Sequence, residues 1–83
     1  MKITVEQRDI SLANKRRQDR ISFSITSSCP VALAMKRISK KKWQVGMTVA
    51  TQGKRSVSLP GIASNNMAKW DAGKRMYPFT FEI

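Results

Sequence analysis

Hydrophobic and polar residues alternate at the start of the chain, where Lys2 to Glu6 puts Ile3 and Val5 on one side, the pattern of a half-buried strand. In the next stretch, Gln7 to Asn14, the residues Ile10, Leu12 and Ala13 fit either a strand end or one helical turn, and Asn14 suits a turn. Lys15 to Arg20 is polar and charged and reads as a solvated connection. Ile21 to Thr26 alternates strictly, with Ile21, Phe23 and Ile25 on one face, and predicts a second strand. After it, Pro30 fits the first position of a helix, where its missing N–H costs nothing. Ser28 or Cys29 would cap that helix, and Ser28 is the better chemical candidate. Val31, Ala34, Met35 and Ile38 then recur at helical spacing, with Lys36 and Arg37 near the C-terminal end, where positive charge suits the dipole.

The second half is patterned more plainly. Trp43, Val45, Met47 and Val49 alternate with polar or small residues, Gln52-Gly53-Lys54 marks a turn, and Val57 and Leu59 alternate on the return. This predicts a hairpin over residues 43–59. Pro60 to Ala72 reads as a helix with a stripe of Ala63, Met67 and Trp70, ended by Gly73. Tyr77, Phe79, Phe81 and Ile83 alternate in a last strand, and Pro78 places its beginning or an edge there. The resulting order, β-β-α-β-β-α-β, predicts a single small α+β domain over residues 1–83. It would be an antiparallel sheet with two short helices on one face.

Composition narrows the classes. The 83 residues are 41% hydrophobic, enough for a core and too much for a disordered tail. The single Cys29 allows no intrachain disulfide, Met1 to Glu6 has no apolar signal region, and no apolar run approaches a membrane span. The expectation is a cytoplasmic protein with no membrane partner. Histidine is absent, the carboxylates Glu6, Asp9, Asp19, Asp71 and Glu82 are scattered, and the glycines stand singly. The usual general base, metal cluster and phosphate-cradling loop are therefore missing, and the chain reads as a non-enzyme needing no cofactor or metal. Cys29 at a helix N-terminus has no imidazole partner and reads as structural.

Charge changes the picture most. Sixteen Lys and Arg stand against five Asp and Glu, a net +11. Such an excess repels itself in a compact state, and a negatively charged partner would relieve it. The densest group, Lys36, Arg37, Lys40, Lys41 and Lys42, puts five charges in seven residues and runs directly into Trp43. Lys15, Arg16, Arg17 and Arg20, then Lys54 and Arg55, then Lys69, Lys74 and Arg75, form three further groups. A basic run beside an aromatic suits phosphate tracking with base stacking. Trp43, however, shares the parity of Val45, Met47 and Val49 and reads first as core, as do Trp70 and Tyr77. The candidate binding residues are Lys36, Arg37, Lys40, Lys41 and Lys42, assisted by Lys15, Arg16, Arg17, Lys54 and Arg55. Mixed Lys and Arg suit backbone phosphates, and no base-reading helix is evident.

Three motifs occur in order: Cys29-Pro30-Val31-Ala32-Leu33-Ala34, the Leu59-Pro60 helix opening, and Trp70-Asp71-Ala72-Gly73 followed by Tyr77-Pro78-Phe79-Thr80-Phe81-Glu82-Ile83. Together they cover most of the chain and resemble a loose family of small uncharacterised tailed-phage and prophage proteins. Those begin with a short strand, carry a "CPxALA" helix and end in an "LP…DxG…PFxF" segment. This chain departs in its high charge and its extended Arg16 to Ser27 segment. The resemblance implies a phage or mobile-element setting and a non-enzymatic accessory role. Its basic surface would then bind nucleic acid or a nucleoprotein complex. The alternative is a protein-directed inhibitor of a host enzyme or defence complex (anti-CRISPR-like, or another host-takeover factor) using an acidic groove on its target. A weaker alternative is a minor virion component.

Overall fold

The computed structural model describes residues 1–19 and 25–83. Its elements are β1 (Lys2–Val5), α1 (Gln7–Gln18), α2 (Ile25–Ser28), α3 (Pro30–Ser39), β2 (Gln44–Val45), β3 (Val49–Gln52), β4 (Arg55–Ser58), α4 (Gly61–Asp71) and β5 (Phe79–Glu82). The α+β class is as expected, with a different order and two sheets instead of one. β1 pairs antiparallel with β5, Ile3 opposite Phe81, while β2, β3 and β4 form a separate antiparallel meander. The strand expected over Ile21 to Thr26 falls mostly on residues 21–24, outside the described ones, and Ile25 and Thr26 open α2.

Helix α3 is the hub, packing against β1, α1, α2, β2 and α4. Pro30 to Met35 is buried at every position, so the apolar surface goes all the way round and is wider than the expected stripe. Ala32 and Ala34 keep the helix slim enough for neighbours on each side. Its N-cap is Cys29 and not Ser28: the Cys29 Sγ accepts the Ala32 N–H at 3.4 Å, and Ser28 ends α2. At the other end Lys40 takes a left-handed conformation (φ 64°), which lets the chain leave the helix and turn toward Trp43. Ser39 ties that exit down. Its hydroxyl donates to Met35 O at 2.6 Å and accepts the Trp43 Nε1–H at 2.9 Å, so the buried indole keeps a partner.

Two expectations need correcting. Lys15 to Gln18 is not a connection but the last turn of α1, which begins at Gln7. Trp43 to Ala50 is not one strand, because the chain reverses between Val45 and Val49, where Gly46 N–H reaches Val49 O at 2.8 Å. The reversal breaks the parity, leaving Trp43, Val45 and Ala50 buried while Met47 and Val49 are exposed. The following hairpin is as expected: Gln52 faces Arg55, and Gly53 (φ 62°) supplies the positive φ of a two-residue turn. α4 buries Ala63, Met67 and Trp70, and Gly73 (φ 80°) closes it with Lys74 N–H bonded to Lys69 O and Gly73 N–H to Trp70 O. No helix among the described residues is long and apolar enough to cross a membrane.

Candidate nucleic-acid interface

α1 has only two buried apolar residues, Ile10 and Ala13, so hydrophobic burial alone anchors it weakly. Polar contacts hold it instead. Asp9 Oδ2 accepts the Glu6 N–H at 2.9 Å, closing a capping box at the N-terminus. The same buried carboxylate receives Arg37 of α3 through two bonds, Nε to Oδ1 at 3.2 Å and Nη2 to Oδ2 at 2.9 Å. Arg37 Nη2 also donates to Thr4 O at 2.8 Å, and Nη1 lies 3.6 Å from Glu6 Oε2. The Asp9 hydrogen bond raises the Arg37 pKa above its ordinary value. At the C-terminal end Arg17 lies 3.8 Å from the Trp70 ring centroid and donates to Trp70 O at 2.6 Å, while Asn14 Oδ1 accepts the Trp70 Nε1–H at 2.8 Å.

Arg37 and Arg17 were expected at the binding surface, and both are bound into the fold. α1 is thereby pinned as a ridge between two grooves. The first, ≈ 500 Å³, runs between α1 and α3. Arg8 and Arg16 of α1 and Lys36 and Lys40 of α3 line it, the Asp9–Arg37 pair lies within it, and Leu12 and Leu33 give it an apolar lining. Lys36 and Lys40 are exposed and Arg16 half-buried, and none of the three has an ion pair among the described residues. Arg8 is 2.8 Å from Glu6 Oε1. The second groove, ≈ 460 Å³, lies on the other flank of α1 and is lined there by Arg17, Lys74 and Arg75 together with Gln7, Asn14 and Gln18.

The structure thus brings Arg16, Lys36 and Lys40 together, adds Arg8, and leaves Lys15 exposed on α1. Lys41, Lys42, Lys54 and Arg55 line neither groove. Arg55 instead lies 5.7 Å from the Trp43 ring centroid, on the side of the meander. Arg8 was missed because the four-residue steps from Arg8 to Leu12 and from Leu12 to Arg16 matter only once Gln7 to Gln18 is a helix. Tyr77 was assigned to the core, yet it is 65% exposed, and Met76 is buried beside it.

The single thiol is shut away. Cys29 is fully buried, and loss of hydration pushes its thiol up to about 11, so it carries almost no thiolate near neutrality. No protein-family model, curated protein or solved structure matches the chain.

Proposed function

We propose that this protein is a non-enzymatic, phage-type accessory protein that acts in the host cytoplasm by binding nucleic acid, free or within a nucleoprotein complex. The observation that carries the reading is the convergence of Arg8, Arg16, Lys36 and Lys40 on one groove. Those cations come from two helices whose relative position is fixed beneath them by the Asp9–Arg37 pair. Arg16, Lys36 and Lys40, which have no ion pair among the described residues, favour a bound polyanion, because its counterions are released when phosphates take their place.

The test is fluorescence anisotropy with duplex and single-stranded oligonucleotides over a salt series. Affinity should fall by about 0.9 log units per log unit of salt for each duplex phosphate neutralised. A Lys36→Glu/Lys40→Glu variant should weaken binding at every salt concentration and flatten the slope by about two contacts. Absence of binding to any nucleic acid at low salt would sink the reading. The apolar Leu12 and Leu33 favour a second one, since phosphates have no use for them. An acidic, amphipathic segment of a host protein would use both the leucines and the cations. Retention of a protein partner after nuclease treatment of a host lysate would favour that inhibitor reading.

A further inference from the structure

We infer that Tyr77 is a base-stacking platform at the edge of the second groove, so that the preferred ligand is single-stranded nucleic acid. The inference rests on the nucleic-acid reading above and selects among its ligands. Among the described aromatic residues, Trp43, Trp70 and Phe81 are 4% exposed or less and Phe79 is half-buried, which leaves Tyr77 as the ring presented to solvent, at 65%. Its place is not an accident of a loose end. Gly73 locks the chain onto the end of α4 through the Lys74 N–H, Met76 fills the core at 3% exposure, and Phe79 enters β5. Between those anchors the ring at 77 is presented to solvent.

The surroundings suit a nucleotide chain. The Arg75 guanidinium is 5.4 Å from the Tyr77 ring centroid, and Arg75 lines the second groove together with Lys74 and the preceding neighbour of the tyrosine, Met76. Across that groove stand Gln7, Asn14 and Gln18, neutral polar groups that add no negative charge. A base stacked on the tyrosine would put its phosphates within reach of Lys74 and Arg75. A duplex keeps its base faces covered and gains nothing from the ring.

Anisotropy with fluorescein-labelled oligo(dT), an abasic oligomer of the same length, and a duplex separates the contributions of base and phosphate. The parent protein should prefer oligo(dT) to the abasic chain. Tyr77→Ala should lose about tenfold on oligo(dT), within the range of one stacked base, and stay within about twofold on the abasic oligomer and the duplex. Tyr77→Phe should bind as the parent does. Because the ring is exposed, both variants should keep the parent's circular dichroism and melting temperature. Unchanged oligo(dT) binding by Tyr77→Ala, or an equal loss on all three ligands, overturns the stacking inference alone. A parent that binds none of the three overturns the nucleic-acid reading with it.

Discussion

Arg37 and Lys36 are neighbours in sequence with opposite duties. Arg37 meets Asp9 through two bonds and reaches Thr4 O, whereas Lys36 is exposed at the groove. Arg37→Ala would leave the Asp9 carboxylate buried without its cation, and urea denaturation should show a loss of about 3 kcal/mol or more. Lys36→Ala should fall within about 0.5 kcal/mol of the parent. Any binding defect of an Arg37 variant therefore reports on the position of α1, while a defect of Lys36→Ala reports on the surface itself. Cys29 makes a pH prediction. Its thiol moves from 9.0 to about 11 on burial, so the folded state holds a proton that the unfolded chain releases first. Its contribution is complete below about pH 9 and is lost as pH rises toward 11, by about 2–3 kcal/mol in all. Cys29→Ala should remove that share of the alkaline decline, and identical slopes in the two proteins would show that another group titrates.

At the scale of elements, legibility followed burial. α3, α4, the β3–β4 hairpin and β5 were readable because each has an apolar pattern bounded by Pro30, Pro60, Gly53 or Gly73. α1 was not, since Asp9, Asn14 and Arg17 make the bonds that hold it, and such partners are visible only in three dimensions. One of the groove's four lining cations was hidden with it: Arg16, Lys36 and Lys40 stood out as parts of charge runs, and Arg8 did not. The meander failed differently. Met47 and Val49 continue the parity of Val45, and nothing local announces the reversal beyond Gly46. Substitution discriminates the two arrangements. Met47→Ser should change stability by no more than about 0.5 kcal/mol, and Val45→Ala should cost about 2 kcal/mol. In a single strand running through Trp43 to Ala50, both would be costly.

Over the whole molecule sixteen Lys and Arg face five Asp and Glu, so the +11 charge exceeds what internal pairs such as Arg8–Glu6 and Arg37–Asp9 can offset. Self-repulsion should therefore limit stability at low ionic strength. Raising NaCl from about 0.02 to 0.5 M shortens the screening length to a few ångströms and should raise the melting temperature. A short oligonucleotide should raise it further at low salt, by mass action on the folded state. A melting temperature that falls with added salt would mean that attraction, not repulsion, dominates the surface. The β1–β5 pairing has a consequence of another kind. Lys2 sits opposite Glu82, so β1 has no strand partner until β5 has been made. Ile3 and Val5, both fully buried in the folded protein, stay uncovered by β5 until then. The β1–β5 ladder should thus close only after β5 has emerged from the ribosome, and a nascent chain stalled before Phe79 should be open to proteases that the released protein resists.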